Sequence, residues 1–102
     1  MKLGRWNFEG PWAQVGSLSK AQGVYAILGR NNSWESWSVV DIGQSGDVND
    51  RVGNHDRSEC WRRQGYRELQ VAVLYTPGWT ETQRVALEQE LRRQYSPSCG
   101  VR

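Results

Sequence analysis

The apolar positions of this chain fall into short runs bounded by turn-forming residues. Gly23 to Leu28 is a compact apolar run with a β-branched and aromatic bias, which predicts a strand. Gly29-Arg30-Asn31-Asn32-Ser33 is dense in turn formers, so Trp34 to Ile42 is expected to return as a second, antiparallel strand. Val39, Val40 and Ile42 predict burial on both faces at its far end. Leu69 to Tyr75 reads as a third, central strand, ended by Pro77-Gly78. The helices come between and after. Asp47 to about Arg57 forms the first, with Ser45 or Gly46 as N-cap and Asp47 and Asp50 complementing the dipole of its first turn. Gly53 weakens that helix by roughly 1 kcal/mol relative to alanine. Cys60 to Arg63 adds a further helical turn. Thr80 with Gln83 three residues on is a capping-box signature for a helix running to about Tyr95, stopped by Ser96-Pro97. Residues 1–20 place Trp6, Phe8, Pro11, Trp12, Val15 and Leu18 among polar residues, which predicts an irregular or short-strand arm packed on the domain. The order β-β-α-β-α predicts an α/β (α+β) fold: a small three-stranded antiparallel or mixed sheet flanked by helices.

A chain of 102 residues is one domain, residues 1–102, with room for a single modest core. Hydrophobic content is low at 37%, and six Trp and four Tyr compensate through their large buried areas. The net charge of +2 neither demands nor excludes a nucleic-acid partner. Local charge is more informative. From Arg51 to Arg67 five arginines (Arg51, Arg57, Arg62, Arg63, Arg67) face two acids, Asp56 and Glu59. Such a stretch suits a phosphate backbone, with Arg57, Arg62, Arg63 and Arg67 as contacts and Trp61 and Tyr66 as stacking platforms. The alternative is a solvated arginine-rich surface.

Two cysteines, Cys60 and Cys99, make no disulfide framework, and no apolar signal segment opens the chain. No run approaches the ~18 apolar residues of a membrane span. A cytoplasmic location with reduced thiols, and no membrane partner, is therefore expected. His55, Cys60 and Cys99 lack a Cys-x-x-Cys pair and carry little weight as a metal site.

The chemistry concentrates between Asp41 and His55. On one helix, Arg51 and His55 would share a face about 6 Å apart. A guanidinium and an imidazole at the mouth of a strand-to-helix turn suit an anionic substrate such as a phosphodiester. In the last helix Leu87, Leu91 and Tyr95 define the apolar stripe, with Glu88 about 60° from its centre and Glu90 about 100° away on the other side. A carboxylate at the stripe's edge can be partly dehydrated yet face a cleft, as a Mg²⁺ ligand requires. The alternative is a helix glutamate paired with Arg84 or Arg92.

In order and type these residues resemble the GIY-YIG nuclease family. Gly23-Val24-Tyr25 stands for the first triplet and Asp41-Ile42-Gly43 for the second. Arg51, His55 and Glu88 match the family's arginine, histidine and metal-binding glutamate, and the late Glu…Tyr95-x-Pro97 matches its helix and exit. The resemblance spans about Gly23 to Gly100. It implies Mg²⁺- or Mn²⁺-dependent endonuclease activity on DNA or other nucleic acid, with Tyr25, Asp41, Arg51, His55 and Glu88 catalytic. Arg51 is expected to hold the scissile phosphate, His55 to orient the attacking water or assist its deprotonation, and Tyr25 to line the site with its hydroxyl towards the water or the metal. The family includes homing endonucleases, restriction enzymes and the incision subunit of excision repair. Target choice falls to this domain's own surface or to a protein partner.

Two positions depart from the family. Asp41 stands where the second tyrosine, its usual general base, belongs, and Gly100 replaces an asparagine. Tyrosine titrates near 10 and aspartate near 3.9, so Asp41 is ionised at pH 7 but some six units less basic. Either Asp41 joins Glu88 as a second metal carboxylate, or the site is an inactive module kept for binding nucleic acid or protein.

Overall fold

The computed structural model describes residues 1–100. Three long strands form its centre: β4 (Gly23–Arg30), β5 (Ser38–Ser45) and β6 (Glu68–Tyr75). Before them come a small hairpin, β1 (Lys2–Leu3) with β2 (Trp6–Asn7), and then β3 (Glu9–Trp12). The helices are α1 (Val48–Gly53), α2 (Ser58–Arg63) and α3 (Glu81–Tyr95), with a 3₁₀ turn at Val15–Ser17.

The main sheet has four strands in the order β3-β6-β4-β5, not three, and every pairing is antiparallel. The added strand comes from the N-terminal arm, where Glu9 pairs with Val73 and Trp12 with Val71. The arm is expected to be irregular or short-strand, but its pattern around Pro11 does not tell that it joins the main sheet; an edge position is where a proline is tolerated.

Alternation along β4 sorts the core into two layers. Tyr25 and Ile27 pack with Val40, Val71, Val73, Val48 and Val52 of α1, and Trp61 of α2. Val24, Ala26 and Leu28 pack on the other side with Ile42, Leu3, Phe8, and Leu87 and Leu91 of α3. The central strand is thus buried on both faces, and the Leu87/Leu91 stripe expected of α3 is its core face. The capping box at Thr80 and Gln83 is present, and Ser96 in the left-handed region ends α3 after Tyr95.

Two boundaries moved. The turn after β4 is longer than expected because Glu35 caps it, accepting from the Asn31 amide and, at 2.6 Å, from the Asn32 side chain. Trp34 therefore lies outside β5, 81% exposed. The helix expected from Asp47 to Arg57 stops at Gly53, and the further helical turn expected at Cys60–Arg63 is α2, which starts at Ser58. Asp47, rather than Ser45 or Gly46, caps α1 by accepting from the Asp50 amide. Past Gly53, the Asn54 side chain bonds the Asp50 carbonyl and the chain turns inward before α2.

The tail after α3 runs along the outer edge of β5, where the Cys99 amide donates to the Val40 carbonyl at 2.8 Å. Cys99 is bonded there to Cys60 of α2 in a disulfide, with Cα atoms 6.0 Å apart. The expectation of two reduced thiols is corrected, and the cysteine argument for a cytoplasmic location falls with it. Among the described residues no helix is long and apolar enough to cross a membrane.

Candidate functional site

Tyr25 sits mid-way along β4, fully buried, with its ring laid across Gly43 of β5. Any side chain at Gly43 would run into that ring, which gives the second triplet's glycine a packing reason. Tyr25 Oη lies 2.6 Å from Nε2 of His55. The Arg57 amide donates to Nδ1 of the same imidazole at 3.0 Å. That bond makes Nδ1 the acceptor, so Nε2 carries the proton and donates to Tyr25. Burial, with Arg57 and Arg51 adding positive charge, lowers His55 to about 4 against opposition from Asp41 and Asp56. The Asp56 carboxylate approaches Nδ1 to 3.2 Å, but a ring neutral at pH 7 makes that no ion pair.

His55 is not on a helix face with Arg51, as the four-residue spacing suggested. α1 ends between them, and His55 turns into the core while Arg51 stays exposed. The pair still converges on Tyr25. Burial pushes the Tyr25 hydroxyl up to about 12, and the positive charge of Arg51 pulls against it. Arg51 has no acid within ion-pair distance among the described residues.

Asp41 is fully buried and its two oxygens collect five donors. Oδ2 accepts from Arg57 Nε at 2.8 Å and from Trp61 Nε1 at 2.7 Å. Oδ1 accepts from Arg92 Nη2 at 2.5 Å, the Ile42 amide at 2.8 Å and Arg57 Nη2 at 3.3 Å. No face of this carboxylate is left for a cation, so the expected Asp41–Glu88 metal pair is not formed. Two further expectations change with it. Arg57 and Trp61 turn inward to Asp41 rather than outward to a nucleic acid, while Arg62, Arg63 and Arg67 remain exposed.

Arg92 is the residue that sequence reasoning undervalued. From α3 it reaches round the β5 edge to Asp41, to the carbonyls of Ile42 and Cys99, and back to Glu88 Oε2 at 3.4 Å. Gly100 belongs to the same arrangement, because a side chain there would strike the Arg92 guanidinium. A signal for this cluster was present: an aspartate inside the run Val39-Val40-Asp41-Ile42 must bring cations in with it.

Glu88 keeps its place at the edge of the buried stripe, its side chain 17% exposed. Burial raises its pKa and Arg92 opposes the rise. Among the described residues no three His, Cys, Asp or Glu side chains cluster as a metal site. A Mg²⁺ ion held by one carboxylate and otherwise by water is compatible with the half-dehydrated Glu88; a two-carboxylate site is not.

No protein-family model matches this chain, and no curated protein does. Solved structures do. The GIY-YIG N-terminal endonuclease domain of UvrC from Thermotoga maritima, bound to magnesium as its catalytic divalent cation, superposes with a TM-score of 0.59 at 19% identity, over 85% of this chain and 91% of that one. A tyrosine-to-phenylalanine point mutant of that domain, also bound to its cation, gives 0.58 at 17% identity, over 86% and 91%. At such identity the likeness shows the fold: this chain has a GIY-YIG-like fold over most of its length.

Proposed function

We propose that this chain is a divalent-cation-dependent phosphodiesterase acting on DNA or, more broadly, on nucleic acid. The observation that carries the reading is the buried Tyr25–His55 hydrogen bond beside an exposed Arg51 that has no acid within ion-pair distance among the described residues. Arg51 takes the scissile phosphate, since its planar donors match the non-bridging oxygens on which transition-state charge accumulates. Tyr25 handles the proton of the attacking water. Its phenolate form is costly when buried, and both the Arg51 charge and the His55 N–H favour that form. His55 acts as a neutral donor to Tyr25 Oη. Glu88 holds the cation, Mg²⁺ or Mn²⁺, which supplies positive charge to the transition state when bound. The exposed rim of Arg62, Arg63 and Arg67, or a protein partner, provides target choice.

A second reading has one specific observation behind it. Asp41 is fully committed to Arg57, Trp61 and Arg92, so the position of the family's usual base holds no free base. On that reading the domain binds nucleic acid or protein without cutting. One assay separates the two. Plasmid DNA is expected to be nicked in Mg²⁺ or Mn²⁺ and spared in EDTA, with Arg51→Ala and Glu88→Ala both inert. Salt-sensitive binding with no cleavage under either metal would establish the module instead.

A further inference from the structure

We infer that Asp41 is a positioning residue, which fixes His55 through Arg57, and not a proton acceptor or metal ligand. The role rests on the phosphodiesterase reading only in that His55 serves the reaction.

The connection is continuous, one contact to the next. Asp41 grips the Arg57 side chain through Nε and Nη2, at 2.8 and 3.3 Å. The main-chain amide of that same arginine donates to His55 Nδ1 at 3.0 Å, and Nε2 on the far side of the ring meets Tyr25 Oη at 2.6 Å. Arg57 therefore works twice: its side chain anchors the 55–57 turn to β5, and its amide selects the imidazole tautomer. The Trp61 ring, its centroid 4.7 Å from that of His55, packs on the imidazole and is itself held by Asp41. A second arm runs from Asp41 through Arg92 to Glu88. Five donors on one buried carboxylate leave no lone pair aimed at a substrate proton, which excludes the acceptor role on geometry alone.

The groups facing His55 come from every neighbouring element: Tyr25 of β4, Asp41 of β5, Arg51 of α1, Trp61 of α2, and Asp56 and Arg57 of its own turn. Their signs supply a discriminating measurement. Asp41's negative field raises the His55 pKa, so removing the charge without moving anything must lower it further. Loosening the turn relieves burial, the largest cause of the depression, and raises it. Charge alone and positioning thus act in opposite directions.

The experiment is NMR of ¹⁵N-labelled imidazole in the full chain, with plasmid nicking in parallel. Wild type is expected to show one neutral tautomer, protonated on Nε2. In Asp41→Asn the amide group points donors at donors, the turn loosens, and the two tautomers mix while the titration moves from about 4 toward 6.5. Turnover should fall about 10- to 100-fold with KM nearly unchanged, the range typical of losing the group behind a functional histidine. A single Nε2–H tautomer titrating at or below the wild-type value would overturn the proposal. Should Asp41→Asn not fold, Arg57→Met decides, since Arg92 and Trp61 still satisfy Asp41 there. Mixed tautomers support the role and an unchanged single tautomer overturns it. A wild-type protein that never nicks DNA would sink the phosphodiesterase reading, while the tautomers would still decide what Asp41 does.

Discussion

His55 titrates near 4 because its ring is buried and faces the charges of Arg57 and Arg51. In the unfolded chain the same ring titrates at 6.5, so as pH falls the unfolded state takes up the proton first. The stability held by a neutral His55 is complete above 6.5 and is lost as pH falls from there through about 4. Glu88 has the opposite sign. Its carboxyl is raised mainly by burial, so its contribution is present below the unfolded value of 4.5 and is lost as pH rises through the folded one. The two slopes overlap, and a single substitution separates them. His55→Gln is expected to flatten the decline between pH 6.5 and 4, read from urea midpoints against the parent protein. A slope unchanged by the substitution would place the acid sensitivity elsewhere.

Among the elements, α3 is the one whose ends can be tested most directly. Thr80 and Gln83 bond each other's amides, satisfying two donors that would otherwise be orphaned at the helix start. Thr80→Ala is expected to cost about 1 kcal/mol, with thermal melting as the check. That cap was legible in four residues of sequence, as were β4 and β6, because each signal is local. α1 was not. Whether the chain continues as a helix past Gly53 depends on the Asn54 side chain bonding back to Asp50 and on the pull of Tyr25 on His55, one local and one 30 residues distant. The arm reads as irregular or short-strand, but the place of β3 in the main sheet was not legible because its pairing with β6 spans some sixty positions. The site divides the same way. Tyr25, Arg51, His55 and Glu88 were visible as residue types in a familiar order. The grip of Arg57, Trp61 and Arg92 on Asp41 is a meeting of three elements and one connection, which no spacing along the chain encodes.

For the molecule as a whole, the Cys60–Cys99 bond ties α2 to the tail across 39 residues of sequence. A loop of that length restricts the unfolded chain by about 4 kcal/mol in the chain-entropy account. Reduction by a dithiol is therefore expected to lower the melting temperature by more than about 10 °C. Cys60→Ser should melt near the reduced wild type and be indifferent to the reductant. Equal melting of oxidised and reduced protein would mean that the staple adds nothing to packing already made. The tail it fastens has another effect, on the company the protein keeps. β5 is an outer strand of the sheet, and an outer strand left bare offers its amides and carbonyls to any extended chain that comes by. With Cys99 seated on Val40, part of that row is already taken. The segment that completes the buried cluster thus also guards the sheet against self-templating, so losing it would risk aggregation before any question of chemistry arose.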